Sequence, residues 1–221
     1  ATSDNTTAST ALEGTAESAQ NLASSLVANG YTDAEAIGTT VTFGIASGDK
    51  LTVLDQFGGA AMTPYTNKLQ EFSDLPPSEA EGRLVQIQGD LDEQGETYWV
   101  KFEEGVWVET VGYGAKRQID PATMPHVLVK TGAGTFEFRY NVWKDRVAGD
   151  ADSNPDPSFV GQTINNMFLF KGRLGLLSGE NVILSEVAIL ENFYRTTVVQ
   201  LLSSDLIDIA STTGRVSTLY H

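Results

Sequence analysis

The spacing of hydrophobic positions divides the chain into one helical stretch and a long series of alternating ones. Between Thr10 and Gly30, Leu12, Ala16, Ala19, Ala23, Leu26 and Val27 recur at helical intervals. Thr10 and Glu13 have capping-box spacing, and Gly30 sits where a left-handed C-cap glycine belongs. One amphipathic helix over 10–30 is expected, weakened in its first turn by Gly14. The period then drops to two. "TTVTFGI" alternates Val41, Phe43 and Ile45, "KLTVLD" alternates Leu51 and Val53, and "ASGD" between them reads as a hairpin turn. "KLQEF" predicts a further strand.

The breaker cluster "SDLPPSEAEG", Ser73 to Gly82, carries two adjacent prolines and is the best boundary candidate, near Leu75–Pro77. Short strands follow in "RLVQIQG", "TYWVKFEE" and "VWVETV", where Tyr98, Val100 and Phe102 would share one face and Trp99 and Lys101 the other. After a second break at "DPATMP", "HVLVKT" and "TFEFRYNVW" read as a hairpin around "GAG". "NNMFLFKG", "RLGLLSG" and "NVILSEV" give three more strands, while "NFYRTTVVQLL" suits helix and strand equally. The fold class predicted is α+β, mainly antiparallel β, an N-terminal helix with a small sheet followed by β-rich modules of sandwich or partial-propeller type. The expected modules are 1–74, small α+β; 75–118, short-strand β; and 119–221, β-rich. "RVSTLYH" has strand character with no polar tail behind it, which predicts that the chain is cut from a longer one and that this segment pairs with strands beyond His221.

Composition narrows the chemistry. The 221 residues contain no cysteine, so disulfides, thiol catalysis and cysteine zinc sites are out. Two histidines, His126 and His221, leave little for metal ligation or a Ser-His-Asp triad. No apolar run reaches the ~18 residues of a membrane span, and the start shows neither a basic nor an apolar leader region. The net charge of −15 is lopsided: residues 1–110 hold 18 acidic and 4 basic side chains, a net of −14, and residues 111–221 a net of −1. Such a surface repels nucleic-acid phosphates.

The sharpest chemical candidate is "WKDRVAGDADSNPDPSFVG", Trp143 to Gly161, where Asp150, Asp152, Asn154 and Asp156 offer oxygens at alternate positions as a calcium loop does. The match then fails, with Pro155 where the turn needs glycine and Gly161 where a closing glutamate belongs. An Asx/proline turn accounts for the same residues. Glu103, Glu104 and Glu109 with Trp99 and Trp107 could serve a glycan site, although glutamates on the wet side of strands and aromatics in strands are commonplace. His126 at a strand start reads as structural, and "KGRLG" is too small a basic patch to grip nucleic acid.

The stretches "TMPHVLVK", "WKDRVAGDADSNPDPSFVG", "NNMFLFKGRLGLLSGENVILSE" and "NFYRTTVVQLLSSDLIDIAST", in this order and spacing, resemble the tail nozzle proteins of short-tailed bacteriophages, also called tail tubular protein B. The resemblance runs from Phe72 to the end and includes "FSDLPP", "YWVKFE" and "VWVETV"; over residues 1–71 only the layout is similar. It implies a structural virion protein made in the host cytoplasm. Such proteins form a hexameric ring below the portal and its adaptor, carry or contact tail fibres, and pass genomic DNA through their lumen without specific binding. The resemblance brings no catalytic, cofactor-binding or metal residues. The competing expectation is a carbohydrate-binding or glycan-cleaving tail module acting on the host envelope.

Overall fold

A computed structural model describes residues 7–12, 16–46, 49, 51–54, 61–89 and 97–211. The chain divides into two compact units, 1–110 and 111–221. The sequence seams at 74/75 and 118/119 fall inside these units. The architecture is α+β and rich in antiparallel β, in several small sheets without a closed barrel. No helix among the described residues is long and apolar enough to cross a membrane.

The first unit contains the one described α-helix, α1 (Ala16–Ala28). Its end matches expectation: the Gly30 amide donates to Val27 O and the Tyr31 amide to Leu26 O, with Gly30 at φ +103°, a Schellman closure that satisfies the last carbonyls. Its start corrects the sequence reading. Thr7–Leu12 is a strand, β1, because long-range pairing to two other strands overrides the local helical spacing of Leu12. Glu13 and Gly14 lie outside the described residues. With β2 (Glu35–Ile37), β3 (Thr40–Gly44) and β4 (Met62–Tyr65), β1 forms a sheet ordered β2-β3-β1-β4. The expected hairpin of Val41–Ile45 with Leu51–Val53 does not form. Strand β3 turns back on β2 instead through Gly38, whose φ of +61° a residue with a side chain resists. Leu51 still packs on the core of Ala19, Ala23, Val41 and Phe43, outside any strand. The small Ala19 and Ala23 let the helix sit close on the sheet.

The second sheet of this unit is β5 (Lys68–Leu69), β6 (Leu84–Ile87), β7 (Tyr98–Glu103) and β8 (Val106–Thr110), in that order. "KLQEF" supplies only the two residues of β5, parallel to β6, before a 3-10 turn at Phe72–Asp74. Val85, Ile87, Val100 and Tyr65 form its core with Tyr98 and Trp107 packed against them. Alternation placed Val100 and Tyr98 on that face, as found. The proline segment is tied down: Trp107 Nε1 donates to Pro76 O at 2.8 Å, Thr40 Oγ1 to Ser78 O at 2.7 Å, and Tyr65 OH to the buried Glu79 carboxylate.

The second unit opens with irregular chain and a 3-10 turn at Pro121–Thr123. The expected hairpin follows as β9 (Val127–Gly132) and β10 (Thr135–Arg139). Beyond the acidic loop, β11 (Ile164–Phe170), β12 (Arg173–Ser178), β13 (Asn181–Leu184) and β14 (Ile207–Ala210) form an antiparallel meander. "NFYRTTVVQLL" is neither helix nor strand; Phe193 and Tyr194 plug the core with Ile119, Met124, Trp143, Phe159, Leu176 and Ile183. The last residues, including "GRVSTLYH", lie outside the described residues.

Candidate functional site

The acidic loop is closed by its own neighbours. Asp150 accepts from the amides of Asp152 (3.0 Å) and Ser153 (3.1 Å) and from the Ser153 hydroxyl (3.0 Å), an Asx turn. Burial works against its ionisation, but these hydrogen bonds and the Arg146 charge outweigh burial and hold the carboxyl below the usual carboxylate range. Asn154 is 1% exposed; its amide donates to Ala148 O and Arg195 O and accepts from the Arg195 amide, each at 3.0 Å. It works as a splice between two backbone segments.

Asp156 anchors the other end. Its Oδ2 accepts from Arg117 Nε at 2.8 Å, and its Oδ1 from Arg146 Nη2 at 3.2 Å and from the Tyr194 hydroxyl at 2.9 Å. The Arg146 side chain is 4% exposed, donates a further bond to Ala115 O, and lies over the Tyr194 ring. Burial, then the hydrogen bond and charge of Asp156, push the Tyr194 phenol far above its ordinary value, so its hydroxyl stays a donor. The carboxylate likewise raises Arg117, chiefly through the hydrogen bond. Of the four oxygen donors the calcium pattern picks out, two are therefore consumed as acceptors in the clamp and turn, and Asn154 is buried. Among the described residues no group of three or more His, Asp or Glu side chains is arranged to hold a metal.

The other candidates are dispersed. Glu103 pairs with Lys101 at 3.0 Å, and Glu104 sits in the β7–β8 turn with its amide bonded to the Glu81 carboxylate. Trp107 spends its indole N–H on Pro76 and packs edge-on against Phe102, so it offers no sugar platform. Trp99 is half-buried in β7, across from Gln86 and Thr110, and Glu109 lies opposite Val100. His126 stacks on Phe138 and leans on Tyr140 along the β9–β10 hairpin. Arg173 of "KGRLG" is buried and holds the carbonyls of Ser185, Ser203 and Asp205; Lys171 lies over the Phe170 ring. A cavity of about 600 Å³ is lined by Arg117, Asp120, Thr123, Gln162 and Tyr194; there the Thr123 hydroxyl donates to Asp120 O and the Asp120 carboxylate accepts from the Ala122 amide.

Two apolar strand surfaces stand open. On β9–β10, His126, Leu128, Lys130, Phe136, Phe138 and Tyr140 share one face of a two-stranded ribbon. Phe138 is 70% exposed, and Leu128, Phe136 and Tyr140 are exposed as well. Met167 to Phe170 of β11 are four consecutive exposed hydrophobic residues, with Leu169 at 73%. Patches of this kind mark protein, membrane or ligand contact surfaces.

The bacteriophage nozzle protein family matches this chain over residues 1–221. The chain belongs to that family. It is similar to the tail tubular protein gp12 of Escherichia phage T7, with 42% identity over 175 residues, 78% of this chain and 22% of that protein. The nozzle-family chain thus spans about a fifth of the length of the curated relative it matches. The strands themselves were expected; that they stand open is what periodicity missed. The signal was present: "MFLF" is apolar at consecutive positions, which puts hydrophobic side chains on both faces of a strand.

Proposed function

We propose that this chain is a structural, non-catalytic part of a phage tail nozzle. In this reading it sits in the virion within a homo-oligomeric ring, a hexamer, joined to the portal-adaptor tail protein and to tail fibres, and genomic DNA slides through the lumen. The observation that carries the reading is the family match across all 221 residues. The site geometry is consistent with it: Asp150, Asn154 and Asp156 are bonded within the fold, and β9, β10 and β11 expose apolar side chains. A lumen wall that lets DNA pass has no use for a basic stripe, which would release counterions and hold the duplex.

Electron cryomicroscopy of intact tails, with this region fitted to density, tests the reading. Density for the chain in a ring below the portal is the expected outcome; its absence from the tail, or a position on a fibre tip, would overturn it. No described pocket combines paired carboxylates with an exposed tryptophan, so no observation favours the glycan module.

A further inference from the structure

We propose that the two outer strands of the β11–β14 sheet are halves of one junction: β11 of one copy pairs antiparallel with β14 of the next, so that the sheet continues from subunit to subunit. This rests on the ring reading above and names the contact that builds it.

The edges match in four respects. First, β11 and β14 are the outer strands of the sheet, and among the described residues neither has a further strand beside it. Second, three successive antiparallel pairings leave β11 and β14 running in opposite directions, so a translated or rotated copy presents β14 antiparallel to β11. Third, the hydrogen-bonding groups are in step. Lys171 and Gly172 have φ of 47° and 75°, a two-residue turn that makes Phe170 and Arg173 a hydrogen-bonded pair. The ladder alternates, so the backbone groups of Met167 and Leu169 point away from β12. The Ser211 amide donates to Glu180 O, which by the same alternation turns the backbone groups of Asp208 and Ala210 outward from β13. One register satisfies all four: Met167 opposite Ala210, and Leu169 opposite Asp208. Fourth, that register sets Phe168 beside Ile209 and Phe170 beside Ile207 on the face away from the unit's core, four exposed hydrophobic side chains that cover one another.

Charge does not oppose the contact. Neither strand contains Lys, Arg or Glu, and the one carboxylate, Asp208, is engaged by the Ser158 amide at 2.7 Å and by Asn181. Natural edge strands are blunted by charge, proline or bulges. The outer half of β11, Met167–Phe170, has no charge and no proline, which suits a strand meant to be paired. Unlike edges joined head to tail form a heterologous contact, the kind that closes into rings; β11 joined to β11 would stop at a dimer.

These 221 residues contain no cysteine, so introduced cysteines report on the junction directly. Phe168→Cys combined with Ile209→Cys, and separately Phe170→Cys with Ile207→Cys, occupy positions opposed without ladder bonds between them, where side chains come closest. Under mild oxidation each double variant is expected to give a covalent ladder ending at the ring, and each single variant no crosslink. Leu169→Pro removes one outward amide and no bond to β12; it is expected to raise the concentration for half-assembly more than tenfold. Amide exchange at Leu169 should slow at least tenfold on assembly. Dimers from Phe168→Cys or Phe170→Cys alone would overturn the proposal in favour of β11–β11 pairing. Assembly without the mixed crosslink would overturn the junction and leave the nozzle reading standing. Equal protection of the Leu169 amide in dilute monomer would mean that the chain covers its own edge, and would also overturn it. The ring reading itself falls only on the tail density.

Discussion

The acidic loop at 150–156 and the strands at 127–139 and 164–170 invert each other. The loop is the most conspicuous polar feature of the sequence, yet Asp150, Asn154 and Asp156 are bonded to the chain's own arginines, tyrosine, serine and backbone. The strands look like ordinary hairpins in sequence, yet leave Phe138 and Leu169 largely in water. A polar group bonded inside the fold holds the chain together. Apolar area left in solvent has a driving force still unspent.

The contrast can be broken most forcefully at the clamp. Arg146→Ala leaves Asp156 short of a buried partner and is expected to lower unfolding free energy by about 3 kcal/mol, and Asn154→Ala by about 2 kcal/mol, read by urea denaturation. Losses below about 0.5 kcal/mol in both would show that the loop is not a structural lock.

Acid titration sharpens the same point. The folded Asp150 carboxyl lies below its unfolded value, so its contribution is complete above the unfolded carboxylate pKa, near ~3.9, and is lost as pH falls through the lower folded value. Asp150→Asn should flatten that part of the stability curve below about pH 4; an unchanged acid limb would contradict the Asx-turn assignment.

The open side predicts the opposite outcome. Phe138→Ser should change the chain's unfolding free energy by no more than about 0.5 kcal/mol, as exposed positions do, while reducing self-association measured by sedimentation. A loss of several kcal/mol would place that ring in a core.

Two expected effects are near zero. Calorimetric titration with Ca²⁺ should give no saturable heat in the micromolar range, for the wild type or for Asp152→Ala. The charge imbalance between residues 1–110 and 111–221 predicts no retention of duplex DNA in gel-shift at ~150 mM salt, where nonspecific binders show dissociation constants of roughly 10⁻⁴–10⁻⁶ M; retention at low micromolar concentration would reopen a basic lumen wall.

The sequence by itself determined the elements whose pattern is local. The helix end at Gly30, the strands β6 to β13 and their turns follow from alternation, short apolar runs and turn chemistry within a few residues. Pro155 and Gly161 interrupt the calcium-loop pattern within the sequence itself. Only the tertiary structure decided features that depend on distant partners. Thr7–Leu12 is a strand because Thr40–Gly44 and Met62–Tyr65 lie on either side of it. Asp156 is a clamp because Arg117, Arg146 and Tyr194 converge on it from up to 39 residues away in the chain. An alternating pattern says that a strand has an apolar face. It does not say what covers that face, because burial depends on every other part of the fold at once.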